Sequence, residues 1–308
     1  MVDIPKIRLN NGVMIPTLGS GPGIVGYSSR PRVESECRIV AFAGRIYDRF
    51  VAHPRLLRSY VESVAHSLDL GYTLLDTSAA YGNCEQLAQA IARSRRTRDQ
   101  LFVTTRVSNR AQRGGSVREE LFATLRALDT DYVDLLQYHW PVTGCYLDTW
   151  REMVRLYDEG YCRAVGVANS HRHHIEALAM VSEVTPAVNQ IEIHPLFSQR
   201  ELVEYCQSQG VVVQAYSPLA RYDDRLFRLP LLRDIAAKYG QSMAQIVLRW
   251  HLQRGVIPVV KSSNARRQRE NISIFDFELT DLEMALIDGV NINARIRYDP
   301  DNCDFSIL

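Results

Sequence analysis

Eight short apolar segments recur along the chain, and most are followed by a stretch of helical periodicity. They are Thr17–Ser20, Thr73–Asp76, Phe102–Arg106, Val133–Tyr138, Ala164–Ala168, Ala187–Ile191, Val211–Tyr216 and Ile257–Val260. They are rich in β-branched and apolar residues and mostly lack in/out alternation, as parallel strands buried on both faces should. Helical patterns lie between them at Leu57–Leu70, Cys84–Arg93, Ser116 to about Leu128, Leu147–Glu159, His171–Val181, Leu202–Ser208 and Ala265–Ile272. Ser116-Val117-Arg118-Glu119 and Ser198-Gln199-Arg200-Glu201 have the capping-box form, and Thr280-Asp281-Leu282-Glu283 caps a last helix. Gly71, Gly160 and Gly210 each stand between a helix and a strand, the C-cap position.

Eight βα units with no half-way break predict an α/β fold, a single (β/α)8 TIM barrel over residues 1–308, rather than an open doubly wound sheet. Asn10-Asn11-Gly12 between two short apolar runs predicts an N-terminal β-hairpin. Three segments stand outside the repeat. Residues 28–56 form an insertion after the first strand, with an apolar and aromatic centre at Cys37–Val51 that reads as an ordered helix near the barrel mouth. Pro218–Leu252 follows the seventh strand and holds two helical stretches, Leu231–Lys238 and Met243–His251. An extra C-terminal helix leads into a tail over residues 291–308.

Bulk properties narrow the function. With 308 residues, 46% of them hydrophobic, the chain has ample material for a core. A net charge of +1 gives no general attraction to nucleic acid or anionic membrane. No apolar run approaches the ~20 residues of a membrane span, and the N-terminus lacks signal-peptide architecture. The expectation is a soluble cytoplasmic protein, a monomer rather than an oligomer. Its six cysteines include no CxxC pair, so they read as reduced and mostly structural. His171, His173 and His174 share a helix start, but with no carboxylate nearby in sequence they predict no metal site.

Candidate chemistry gathers at the predicted strand ends. Asp76 closes the second strand and Tyr81 follows in the turn; Arg106 ends the third strand and His139 the fourth. Each alone has a plain reading as a cap, a packed ring or a structural histidine. Together at one mouth they form a candidate general-acid site.

With those residues, the chain resembles the aldo-keto reductase superfamily over nearly its whole length. The matching blocks are Leu75-Asp76-Thr77-Ser78 with Tyr81-Gly82-Asn83, Phe102-Val103-Thr104-Thr105, Asp134 to Pro141, Gly166-Val167-Ala168-Asn169, Val188 to Pro195, Tyr216-Ser217-Pro218-Leu219 and Ile257 to Asn264. The resemblance implies an NADP(H)-dependent oxidoreductase that interconverts an aldehyde or ketone and an alcohol. Tyr81 would be the general acid and His139 would orient the carbonyl, with Asp76 and Arg106 as the charge pair tuning the phenol. Arg106 stands where the family's pattern has a lysine. Its planar guanidinium prefers a two-pronged grip on carboxylate and can miss the Tyr81 oxygen. That departure keeps two alternatives open: a non-reductive isomerase, dehydratase or cyclase on the same scaffold, or a cofactor-binding regulatory subunit.

On the cofactor side the resemblance matches Lys261-Ser262-Ser263-Asn264 and Arg267 to Asn271 to the adenosine-phosphate block of NADPH/NADP+, with Lys261, Ser262 and Arg267 at the 2′-phosphate and Glu270 and Asn271 at the adenine; it also counts Asp76 among the cofactor-binding residues. Asn169 and Gln190 would grip the nicotinamide carboxamide, and Tyr216, with Ser217 and Leu219 after it, would face the nicotinamide. Gly21 would lie near the pyrophosphate, although Gly21-Pro22-Gly23 equally reads as a plain turn. Ala168 replaces a usual serine. Tyr27, Tyr47, Trp140 and Tyr222 are candidates for an aromatic substrate pocket. The long insertion suggests a sizeable, specialised small-molecule substrate of the kind met in biosynthesis or secondary metabolism.

Overall fold

The computed structural model describes residues 2–21, 53–303 and 305. The 28–56 insertion up to residue 52, Tyr27 and Tyr47 lie outside them. A two-stranded antiparallel hairpin, β1 (Lys6–Arg8) and β2 (Met14–Pro16), comes first. Eight parallel strands then close into a barrel: β3 (Gly19–Ser20), β4 (Leu74–Asp76), β5 (Phe102–Val107), β6 (Leu135–Tyr138), β7 (Val165–Ala168), β8 (Val188–Glu192), β9 (Val212–Tyr216) and β10 (Val256–Val260), with β10 pairing back onto β3. All eight expected strands are present, most of them trimmed by a residue or two. The first is only two residues long.

Every residue of β4 to β8 is buried, which explains their apolar character and lack of alternation. The hairpin turns at Gly12, whose φ of 90° suits glycine. It carries Leu9 and Ile15 into a cluster with Leu74, Phe102, Leu135 and Ile257, which plugs the N-terminal end of the barrel. With that end closed, the strand C-termini form the accessible mouth. At Gly166 a Cβ would meet the Val188 carbonyl at 2.6 Å, so glycine is what lets β7 approach β8.

Helices surround the barrel. The Thr280 capping box forms with Glu283, and Ser242 forms another with Gln245. Two expected boxes do not form. Ser116 makes no side-chain cap; a short helix, Asn109–Gly114, precedes it and ends in left-handed Gly115, leaving Ser116 at ψ 37° instead of extended. Helix Arg200–Ser208 is entered through Gln199 at φ 44°, one residue after Ser198, whose amide is bound to Asn291. Both helices exist, but tertiary contacts replace their local caps.

The tail returns to the mouth. Glu192, at the end of β8, accepts the backbone N–H groups of Ile296 and Arg297 at 2.6 and 2.8 Å, and its Oε1 lies 3.0 Å from His194 Nε2. Burial alone would raise the Glu192 carboxyl; these partners hold it below the ordinary range.

His251 shows how burial links this fold to pH. It is fully buried, its Nε2 lies 3.1 Å from the Pro218 carbonyl, and burial pushes its pKa from 6.5 down to about 3. The unfolded chain therefore binds a proton that the folded chain refuses as pH falls below 6.5. Stability should drop by about 1.4 kcal/mol per pH unit through that window from this residue. Denaturant titrations of His251→Gln between about pH 6 and about pH 4 should show a slope shallower by that amount. Parallel slopes in the two proteins would contradict it.

Candidate active site

β4 ends on Asp76, and the chain turns through Ser78 into a single 3-10 turn, Ala79–Tyr81, closed by left-handed Gly82. Ser78 Oγ accepts from the Ala80 amide, while Thr77 Oγ1 and Tyr60 Oη hold Asn83 from either side. This lacing presents Tyr81 at the mouth.

Beneath it lies Arg106, almost completely buried at 2% exposure. Its Nη2 donates to Asp76 Oδ1 and to Gln190 Oε1, and its Nη1 donates to the Thr77 carbonyl at 2.9 Å. Gln190 Nε2 in turn donates to Asp76 Oδ1 (2.9 Å) and Gln214 Oε1 (3.0 Å). A buried charge is costly unless paired and hydrogen-bonded, and this one has both kinds of partner. Burial by itself would lower the arginine's pKa, but Asp76 beside it keeps the guanidinium charged.

None of Arg106's hydrogen bonds reaches the Tyr81 hydroxyl. Arg106 acts on the phenol through space. Burial raises the Tyr81 pKa above 10, Arg106 opposes that rise and Asp76 adds to it. The phenol is thus held protonated. His139, one residue past β6, meets the Tyr81 ring edge-on at 5.8 Å between centroids. Burial, with Arg106 and Arg297 adding, pushes its pKa down to about 3, so the imidazole is neutral and can donate one N–H.

Asn169 sits one residue past β7 at φ 56°. Its amide donates to the His139 carbonyl (2.9 Å) and its Oδ1 accepts from Tyr216 Oη (2.8 Å). Ser217, Ala220, Arg221 and Tyr222 also have positive φ, between 47° and 62°. Non-glycine residues held there cost about 1–3 kcal/mol each and concentrate at ligand sites. Leu219 is buried within that loop.

Across the mouth, Lys261 to Asn264 follow β10, and Asn264 caps helix Ala265–Ile272 by accepting from the Arg267 amide at 3.1 Å. Lys261, Ser263 and Arg267 are exposed there, and the helix start is suited to an anion. The Arg267 guanidinium lies over the Tyr222 ring at 5.3 Å, which brings Tyr222 to this end of the mouth. Glu270 pairs with Arg266 at 3.2 Å and Asn271 is buried at 2% exposure. Gly21 donates to the Val260 carbonyl at 3.0 Å between the two halves; a Cβ there would meet Val259 at 2.9 Å. The exposed cations and the helix start suit a phosphorylated ligand.

The structure brings together Asp76, Tyr81, Arg106, His139, Asn169, Gln190 and Tyr216. Gln190, expected to grip a carboxamide, has its own amide engaged with Arg106, Asp76 and Gln214. Trp140 is buried against Phe305 of the tail at 6.2 Å between centroids. Gln214 and Glu192 escaped the sequence reading, since a buried polar residue inside a strand has no local signature.

The closed eight-stranded parallel barrel, with this polar cluster at its mouth, defines a (β/α)8-barrel protein, and its relatives mark it as an oxidoreductase. A profile described as the Aldo/keto reductase family matches residues 58–292, and the chain belongs to that family. An uncharacterised oxidoreductase of Bacillus subtilis is 44% identical over 250 residues, covering 80% of this chain and 88% of the relative. A glyoxal reductase of the same organism is 41% identical over 244 residues, covering 79% and 88%. An aldo-keto reductase of Bombyx mori, solved in complex with NADP, superposes with a TM-score of 0.82 at 32% identity over 98% of this chain and 97% of that one. Among the described residues no helix is long and apolar enough to cross a membrane.

Proposed function

We propose that this mouth reduces a carbonyl compound with NADPH, and that Tyr81 is the proton donor. The observation carrying the reading is Tyr81 held protonated against neutral His139, above a buried and fully bonded Asp76–Arg106 pair. NADPH, when bound, would supply the hydride-transfer chemistry. Tyr81 Oη gives its proton to the carbonyl oxygen, and His139 donates the hydrogen bond that orients that oxygen. Arg106 and Asp76 set the electrostatics under the phenol.

Lys261, Ser262, Ser263, Asn264 and Arg267 hold the 2′-phosphate, by charge, by hydroxyl and by the helix-start amides. Glu270 and Asn271 serve the adenine, and Gly21 lets the pyrophosphate pass close to the backbone. Tyr216, Ser217 and Leu219 shape the nicotinamide face, with Asn169 and Gln190 next to it. Trp140, together with Tyr27 and Tyr47, serves a specialised substrate in a cytoplasmic, biosynthetic setting.

One observation favours a second reading, a non-reductive acid–base step: the hydrogen bonds of Arg106 go to Thr77, Asp76 and Gln190 and none goes to the phenol. NADPH oxidation against a carbonyl panel, from glyoxal and methylglyoxal to bulky aromatic ketones, tests both. Turnover of at least one class is expected. Tight NADPH binding with no oxidation across the panel would sink the reductase reading, and substrate loss without NADPH oxidation would establish the second.

A further inference from the structure

Outside the active site, the rim of the mouth carries a cluster that the proposed reaction does not use. His171, His173 and His174, at the start of helix Arg172–Ala179, face Asp301 of the C-terminal tail, and their potential ligand atoms all lie within 4.8 Å of one another. His171 Nδ1 is 2.7 Å from Asp301 Oδ2, while His173 Nε2 and His174 Nε2 are 3.2 and 3.5 Å from Asp301 Oδ1. The carboxylate missing from the local sequence is thus supplied by a residue 130 positions on.

We propose that these four side chains form a zinc-class divalent metal site that fastens the tail to the rim of the barrel. Three imidazoles and one carboxylate are donors such an ion prefers. Ligand atoms about 2.0–2.2 Å from a tetrahedral ion stand roughly 3.3–3.6 Å apart, so small side-chain shifts close the site. The site is also built: His174 is buried and packs edge-on against Tyr146 at 5.4 Å, while His173 and Asp301 are exposed and leave a path for the ion.

Two contacts must yield on loading. The His171 amide donates to His174 Nδ1 at 3.1 Å, and Arg295 approaches His171 Nε2 at 3.5 Å. The other nearby cation, Arg172, is already paired with Glu176 at 2.8 Å. Asp301 lies between two attachments of the tail, Glu192 at Ile296–Arg297 and Phe305 on Trp140. A metal there would cross-link the stretch between them to the barrel. The alternative is a carboxylate that merely accepts imidazole N–H groups.

Equilibrium dialysis of the full chain, first stripped with chelator, against Zn2+ separates the two. The expected result is one ion per chain and a Tm raised by zinc. Cobalt substitution should give the intense visible bands of a tetrahedral site. His173→Ala and Asp301→Asn change exposed side chains and should fold; each should weaken binding at least about tenfold, in line with the loss of a ligand. Cys303→Ser, the nearby thiol, should retain it. No stoichiometric zinc, or binding that survives both ligand substitutions, would overturn the site.

Discussion

Tyr81→Phe should lower kcat for carbonyl reduction by about 10²–10⁴-fold, the usual contribution of a positioned general acid. NADPH affinity should stay within a small factor, since the phenol is not among the groups assigned to the dinucleotide. The ring would remain, edge-on to His139, so the loss would report the hydroxyl and not collapse of the turn. Direction matters as well. A phenol whose pKa burial has raised stays protonated at neutral pH, so the form that gives a proton is populated and the phenolate that would take one is not. Reduction should hold steady across the neutral range, whereas alcohol oxidation, which needs the phenolate, should climb with pH. Undiminished reduction by Tyr81→Phe would remove Tyr81 from the proposed chemistry.

Arg106→Met should cost about 3–5 kcal/mol of stability, because it leaves Asp76 buried without its counter-charge. The Gln190 and Thr77 oxygens would also lose their donor. Arg106→Lys keeps the charge, but its single nitrogen cannot stand at both Nη positions, so a smaller loss of about 1–3 kcal/mol is expected from the unsatisfied oxygens. Its activity is the informative readout. In the wild type the guanidinium bonds all point to Asp76, Thr77 and Gln190, and an ammonium at the same strand position is free to turn towards the phenol. A rise in kcat alongside the drop in stability would show that arginine exchanges turnover for a rigid floor. Urea titration and steady-state kinetics on the two variants give both numbers. Unchanged stability in Arg106→Met would contradict the buried-pair account.

The barrel was legible because its strands are buried on both faces and therefore written as apolar runs, and because parallel strands put their C-terminal residues at one end. Asp76, Tyr81, Arg106 and His139 followed from that geometry, and the family resemblance assigned their roles. Contacts between distant segments were not legible. Ser116 and Ser198 carry the right spacing for capping boxes, yet Gly115 and Asn291 fix their backbones otherwise. The histidine triplet looked bare because its carboxylate lies in the tail. The partners of Gln190 were hidden for the same reason: a strand pattern places it facing inward but does not say that Arg106 and Gln214 flank it.

Glu192 grips the tail only through backbone N–H groups, at Ile296 and Arg297. Any residue except proline offers that amide, so the attachment is indifferent to which side chains the tail carries there. Arg297, whose charge is felt at Tyr81, His139 and Tyr216, can therefore be exchanged without unfastening the segment that bears it. At this rim the fastening rests on the backbone and the charge at the mouth on a side chain, so one can be altered without the other.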